Sequence, residues 1–269
     1  MPPLDDRPMS ALALGTYLTC PLRFRYRYVD RLYWSKLWSA TEAERKAIER
    51  GQDFHLIASR LYAGVEPGRS ADPVEQRELD AWVNLLQGFL PLTLDRAFYP
   101  ELELRLNQPR LKLQAKFDLL VVDPDGRATI FDWKTEKQMP KRSYLLTTTQ
   151  TLLYRFMLCA AGGAFSPRGR FRPQEIAMIY WNPLHPHRWE RLDYSEAQFE
   201  QDEWVLQDLV SRILRTPPDG FLATSEARIC PHCEYRVICH GRRADEVDLA
   251  DQEELFETTL SWDTLPELP

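Results

Sequence analysis

Two charged residues, Asp132 and Lys134, stand two positions apart in the stretch IFDWKTEK at residues 130–137. Side chains alternate between the faces of a β-strand, so we expect both charges on one face and Phe131 and Trp133 on the other. A carboxylate can bind a metal ion that activates water, and an ammonium group can balance the charge of a phosphate. The spacing therefore predicts a chemically active face on a half-buried strand.

A second carboxylate, Asp118, is predicted to face Asp132 across a β-hairpin. The residues VDPDGR between the two strands fit a three-residue loop at 124–126, with proline in a type I turn and glycine in the left-handed position. Like charges at facing positions, about 5 Å apart, are destabilising and need a cation. Lys134 or a divalent ion could supply it; an ordinary surface network of aspartates and lysines is the alternative. The same register places Lys116 opposite Lys134.

Three further polar residues have the spacing of a site. His55 lies in the predicted helical stretch GQDFH, where a packed or solvent-facing histidine is the alternative to a ligand. Gln150 and Tyr154, in QTLLY, are one helical turn apart and hence on one face, although a pair at the edge of the core would look the same.

The elements that carry these residues are predicted from apolar periodicity and turn residues. Three helices at the N-terminal end precede three strands, and the strands are followed by a helix, two more strands and a last helix. The helix that follows the first three strands, SYLLTTTQTLLYRFMLCAAG, is predicted as one continuous segment. This order predicts a mixed α/β core with a helical wrap. We expect residues 1–243 to form one domain.

Five cysteines occur, and three of them form a Cys-x2-Cys-x5-Cys pattern at Cys230, Cys233 and Cys239. An odd number of cysteines without a signal-peptide pattern argues against a disulfide framework, and the clustering favours a metal. Four thiolates suit zinc or iron–sulfur, and His232 or His240 could serve in a zinc site. Cys159 lies in an apolar helix and is interpreted as a core residue.

Arginines alternate with aromatic residues in the stretch RFRYRYVDRLYW, next to Cys20. Single-stranded nucleic acids are bound by arginines that contact the phosphates and by aromatic rings that stack on the bases. Arg23, Arg25 and Arg27 are therefore candidate DNA contacts. A helix that buries its aromatic residues and exposes its arginines is the equally weighted alternative.

The net charge of -6 is unevenly distributed along the chain. Residues 244–269 contain nine acidic and no basic residues, so the rest carries +3. We interpret this segment as a solvated acidic tail, with a protein partner or mimicry of DNA charge as alternatives. No stretch of about 20 apolar residues is present, and we expect a cytoplasmic protein without a membrane segment.

Taken together, the stretches GQDFH, LQAKFDLLVVDPDGRATIFDWKT and QTLLY, followed by the cysteines, resemble the PD-(D/E)XK nuclease superfamily in its RecB-like branch with an iron–sulfur cluster. The resemblance implies a restriction-endonuclease-like core, closed by a four-cysteine site that joins Cys20 to the C-terminal triplet and holds [4Fe-4S], with zinc as the alternative. Two departures from the pattern are Asp132 where glutamate is common and Ala115 where glycine is common; neither removes a ligand.

The resemblance also assigns roles to the site residues. It implies that His55, Asp118 and Asp132 bind Mg²⁺ or Mn²⁺, and that Lys134 acts on the attacking water. Gln150 and Tyr154 would orient the site, and Tyr154 would touch DNA. Either Glu101 or Glu103, on the preceding strand, could add an acidic group.

The function implied is metal-dependent hydrolysis of DNA, by an exonuclease or end-processing enzyme acting on single strands in repair or recombination. An end-trimming nuclease of the CRISPR-adaptation type and a non-catalytic scaffold that binds DNA ends are the alternatives.

Overall fold

The computed structural model describes residues 4–32, 41–66, 68 and 72–240. The predicted tail at 244–269 and the end of the predicted domain at 243 lie outside these residues. Several helices begin at a Ser, Thr or Asp side chain that accepts a backbone N–H of the first turn, which is the ordinary N-cap arrangement. Helices α1 to α8 span Ala11–Thr19, Pro21–Phe24, Glu42–Tyr62, Pro73–Phe89, Arg142–Leu145, Thr149–Ala161, Glu196–Arg215 and Arg236–His240.

The strands of the described residues form one mixed sheet in the order β1-β2-β3-β4-β5. Strands β3 and β4 are parallel, and the other neighbouring pairs are antiparallel. A parallel pair needs a crossover connection, which α5 and α6 provide. This architecture confirms the predicted α/β class. Strands β1 to β5 span Ala97–Gln108, Leu111–Val122, Ala128–Trp133, Ile176–Trp181 and Glu190–Asp193.

The hairpin between β2 and β3 has the predicted loop and register. Gly126 adopts a positive φ of 85°, and Asp123 and Arg127 close the loop with a 2.8 Å backbone hydrogen bond. Leu119 pairs with Phe131, as the predicted register requires. The next facing positions along the hairpin are those of the two aspartates.

The helix predicted over residues 143–162 is divided into α5 and α6. The hydroxyl group of Thr148 accepts a hydrogen bond from the backbone N–H of Thr151 and so caps a new helix. Threonine side chains compete with the helical backbone in this way, and three of them follow one another here. The restart places Gln150 in the first turn of α6.

Two hydrophobic clusters lie on opposite faces of the sheet. The α6 layer contains side chains from α1, α6 and α7, and the α3 layer contains side chains from α3 and α4. Leu120 and Ile130 belong to the α6 layer, whereas Leu119, Phe131 and Trp133 belong to the α3 layer. The predicted alternation around Asp132 is thus confirmed for its apolar neighbours.

The alternation along β2 is interrupted at Asp118. Phe117 packs in the α6 layer, yet Leu119, two residues later, packs in the α3 layer, although such residues normally share a face. Glu101, at the facing position on β1, has a φ of 51°. A left-handed conformation costs a residue other than glycine about 1–2 kcal/mol. The side chains of β2 therefore switch faces of the sheet at Asp118, and the positive φ of Glu101 costs backbone energy.

The N-terminal helices and the C-terminal cysteine segment are joined by a buried ion cluster. The carboxylate of Glu234 lies 2.7 Å from the guanidinium group of Arg23 and 3.1 Å from that of Arg27. The hydroxyl group of Tyr235 donates a 2.6 Å hydrogen bond to the carbonyl of Leu32. The predicted helical wrap is therefore closed by charge and hydrogen bonding between distant parts of the chain.

No helix among the described residues is long and apolar enough to cross a membrane.

Candidate active site

Asp118 and Asp132 lie at the open end of the β2–β3 hairpin. Backbone pairing ends at Leu119 and Phe131, and beyond it Asp118 Oδ2 accepts a 2.7 Å hydrogen bond from the backbone N–H of Trp133. The Asp118 side chain thus replaces the next hydrogen bond of the ladder. This contact holds the two acidic residues close together.

His55 reaches the acidic pair from α3. Its Nδ1 lies 3.2 Å from Asp118 Oδ1, and the residue is 7% exposed. Burial favours the neutral imidazole, but the carboxylates of Asp118, Asp132 and Glu101 together outweigh it, and the pKa of His55 is raised. The helical histidine is therefore a buried neighbour of Asp118, and its role as a metal ligand remains a prediction.

Lys134 and Gln150 complete a network around Asp132. Lys134 Nζ lies 2.8 Å from Asp132 Oδ1 and donates a 3.0 Å hydrogen bond to Gln150 Oε1. Gln150 Nε2 donates a 2.7 Å hydrogen bond to Asp132 Oδ2. The amide of Gln150 thereby fixes the ammonium and carboxylate groups relative to each other. Lys134 also lies 5.2 Å from the centre of the Tyr180 ring.

The charges in this network perturb one another strongly. Burial raises the pKa of Asp132, the nearby Asp118 raises it further, and Lys134 opposes both. Burial alone would lower the pKa of Lys134, but the carboxylates of Asp132 and Glu136 outweigh it and raise that pKa. Perturbed, interacting groups of this kind are typical of functional sites.

Glu101 joins the site, whereas Glu103 does not. Burial raises the pKa of the Glu101 carboxyl, its ion pair with Lys116 opposes this, and Asp118 raises it further. Glu103 forms an exposed ion pair with Arg105 instead. Sequence reasoning left the two glutamates undecided, because the positive φ at Glu101 leaves no mark in the residue types.

The predicted opposition of Lys116 and Lys134 is not found, because the β2–β3 pairing ends before it. Lys116 binds Glu101 at 2.6 Å, and Lys134 binds Asp132. Each lysine therefore has a protein carboxylate as its counterion.

The two carboxylates of the site suit a hard divalent cation such as Mg²⁺ or Mn²⁺, and His55 adds a nitrogen donor beside them. Among the described residues, the partner of the buried Asp132 Oδ1 is the ammonium group of Lys134, at 2.8 Å. Among those residues, no group of three or more His, Cys, Asp or Glu side chains is arranged to hold a metal ion. The ammonium group of Lys134 supplies the positive charge in this arrangement.

A family model described as the PD-(D/E)XK nuclease superfamily matches residues 8–240. The chain belongs to the PD-(D/E)XK nuclease superfamily. A search of the curated proteins finds no match. A solved structure described as "Crystal structure of SSO0001" is similar over 88% of both chains, with 15% sequence identity and a TM-score of 0.40. The superfamily match suggests a nuclease, and the RecB-like branch remains a prediction.

Tyr154, predicted from the superfamily resemblance to touch DNA, lies in the core. It is 2% exposed, and its ring centre lies 5.1 Å from that of Phe117. Tyr154 is therefore not accessible to a DNA strand in this structure. Its packing instead fixes α6 against β2, and α6 carries Gln150.

The arginines predicted to bind DNA are engaged within the protein. Arg23 and Arg27 both bind Glu234. Arg25 pairs with Asp30 at 3.1 Å and donates a 2.7 Å hydrogen bond to the carbonyl of Pro218. These side chains thus join segments of the chain, and their contact with DNA remains a prediction. Tyr33 and Trp34, from the same aromatic stretch, lie outside the described residues.

The four predicted cluster cysteines come from the two segments that Glu234 joins. Cys20 is buried between α1 and α2, and Cys239 lies on α8. Burial raises the pKa of Cys239, and nearby Cys20 and Cys230 raise it further. Burial also raises the pKa of Cys233 to about 11. The thiols lie near one another, but the described residues include no three-ligand metal group, so the four-cysteine site has no support from the geometry.

Cys159 packs against the α6 layer, as predicted for a core cysteine. Burial raises its pKa to about 12.

Proposed function

We propose that the protein is a Mg²⁺- or Mn²⁺-dependent deoxyribonuclease. It hydrolyses phosphodiester bonds in single-stranded DNA or at DNA ends, as an exonuclease or end-processing enzyme of repair or recombination. The observation that carries the proposal is the meeting of Asp118, Asp132 and Lys134 at one hairpin end, with His55 and Gln150 arriving from opposite layers. Membership of a nuclease superfamily supports the same reaction.

Each side chain has a chemical role in this proposal. Asp118, Asp132 and His55 would hold the divalent ion. When bound, such an ion lowers the pKa of its water and polarises the phosphoryl oxygen. Lys134 keeps its proton in this acidic surrounding, so its positive charge can offset charge that develops on the phosphate. Gln150 orients Lys134 and Asp132 through one hydrogen bond to each.

The rival scaffold function does not need this network. A buried aspartate and lysine cost desolvation energy, and a protein that only binds DNA ends gains nothing from them. The end-trimming nuclease of the CRISPR-adaptation type would use the same residues and differs in its substrate.

End-labelled DNA tests the proposed reaction directly. Single- and double-stranded oligonucleotides are incubated with the protein and Mg²⁺, Mn²⁺ or EDTA, and the products are resolved on denaturing gels. We expect metal-dependent cleavage, faster on single strands or ends, and none in EDTA. Binding without cleavage under every metal condition would favour the scaffold.

We also propose that Cys20, Cys230, Cys233 and Cys239 bind [4Fe-4S], with zinc as the alternative. The Cys-x2-Cys-x5-Cys spacing and the resemblance of the chain to iron–sulfur nucleases support the proposal. The cluster would have a structural role, because it would link the two chain segments and so stabilise the folded state.

Protein purified without oxygen should be brown and contain about four iron atoms per chain. Cys233→Ser should remove the colour and lower the melting temperature, whereas Cys159→Ser should keep both the colour and the iron. Metal analysis by mass spectrometry and the visible spectrum measure the result. A colourless preparation that contains zinc would replace the cluster with the alternative ion.

A further inference from the structure

A second lysine, Lys116, lies beside the acidic pair. Its neighbours on β2, Ala115 and Phe117, pack in the α6 layer, so Lys116 lies on the opposite face of the sheet. That face is the one from which His55 approaches. The Lys116 side chain is 45% exposed, so a ligand can reach it without unfolding.

Glu101 fixes the position of this ammonium group. Its carboxylate lies 2.6 Å from Lys116 Nζ, and its own side chain is 32% exposed. The left-handed backbone of Glu101 lies opposite Asp118, where the side chains of β2 switch faces of the sheet. Strained backbone conformations persist where the surrounding structure holds them, and they are common at active sites. Here the strained residue aims its carboxylate at a lysine next to the proposed metal site.

We propose that Lys116 binds a phosphate of the DNA strand next to the scissile one, and that Glu101 is its positioning residue. This inference rests on the proposed nuclease function. An ammonium group has three donors, so Lys116 can keep its bond to Glu101 and still donate to a phosphate oxygen. Arg23 and Arg27, which were predicted to contact DNA, are largely buried against Glu234, whereas the side chain of Lys116 is partly exposed.

The test measures DNA binding in an Asp132→Asn background, which prevents cleavage. A fluorescein-labelled oligothymidylate is titrated at several salt concentrations, and anisotropy gives Kd. Each lost contact to a single strand reduces the slope of log K against log salt by about 0.7, which is about fivefold in affinity at 0.1 M salt. Lys116→Met should show both changes, and Lys116→Arg should retain the slope of the parent.

Lys112→Met is the matched control. Lys112 lies on the same strand and face, about 13 Å from Lys116, and forms its own ion pair with Asp6 at 3.0 Å. Its replacement should leave Kd and the salt slope unchanged. Circular dichroism confirms that each variant is folded.

The role of Glu101 is tested by steady-state kinetics with Asp132 intact. Glu101→Gln should raise KM for DNA when Lys116 is present and should have no further effect on KM in the Lys116→Met background. Additive effects of the two substitutions would overturn the positioning role.

The possible failures are distinguishable. If the protein with Asp132 intact cleaves DNA but Lys116→Met keeps the salt slope of the Asp132→Asn background, the phosphate contact is wrong and the nuclease proposal stands. If the protein with Asp132 intact neither binds nor cleaves DNA, both proposals are overturned.

Discussion

Asp132→Asn is expected to reduce DNA cleavage by at least about a thousandfold, because metal-assisted catalysis contributes several kcal/mol of transition-state stabilisation. Asparagine has nearly the same shape and can still accept the hydrogen bond from Gln150. It cannot match the carboxylate as a ligand or as the counterion of Lys134. Cleavage of an end-labelled oligonucleotide in Mn²⁺, measured under single-turnover conditions, gives the rate.

Asp193→Asn is the control for this substitution. Asp193 is an exposed residue of β5 that pairs with Arg191, so its replacement should leave the rate unchanged. Because Asp132→Asn leaves Lys134 without its counterion, the melting temperature of the variant must be measured as well. Asp118→Asn keeps the Lys134 pair and should lose activity to a similar extent. Full activity in either aspartate variant would remove the active-site assignment.

Glu234→Gln is expected to lower the free energy of unfolding by about 3–5 kcal/mol. The Glu234 carboxylate is fully buried between two guanidinium groups, and its neutralisation removes the ionic partner that both of them have in this structure. For a protein of this size the loss corresponds to a melting temperature about 10 °C lower. Differential scanning fluorimetry measures the shift, and limited proteolysis shows whether the segment around residue 234 becomes accessible.

Glu226→Gln provides the comparison in the same C-terminal segment. Glu226 forms an exposed ion pair with Arg228, and exposed pairs contribute about 0–1 kcal/mol. Its replacement should change the melting temperature by no more than about 3 °C. Equal shifts in the two variants would mean that the buried cluster does not close the chain ends.

The hairpin could be predicted from the sequence because its determinants are local. A proline and a glycine in six residues fix the loop, and the strict two-residue period of strands then fixes which residues face each other. The acidic pair follows from that register. His55 and Gln150 joined it only through the resemblance, since they lie on helices far away in sequence.

The features that the sequence did not reveal have a common cause, which is long-range pairing. Arg23 and Glu234 are separated by 211 residues, so nothing next to the arginines shows that their charges are satisfied inside the protein. Tyr154 lies one turn from Gln150, but tertiary packing against Phe117 decides that it is buried. The switch of side-chain faces at Asp118, opposite Glu101, likewise depends on the assembled sheet.

Because the site takes residues from both layers of the protein, it forms only when both layers have packed on the sheet. His55 arrives with α3 from one side of the sheet, and Gln150 arrives with α6 from the other. A nascent or partly denatured chain that has docked only one of these helices lacks either His55 or Gln150 at the site. We therefore expect the proposed nuclease activity to appear late in folding.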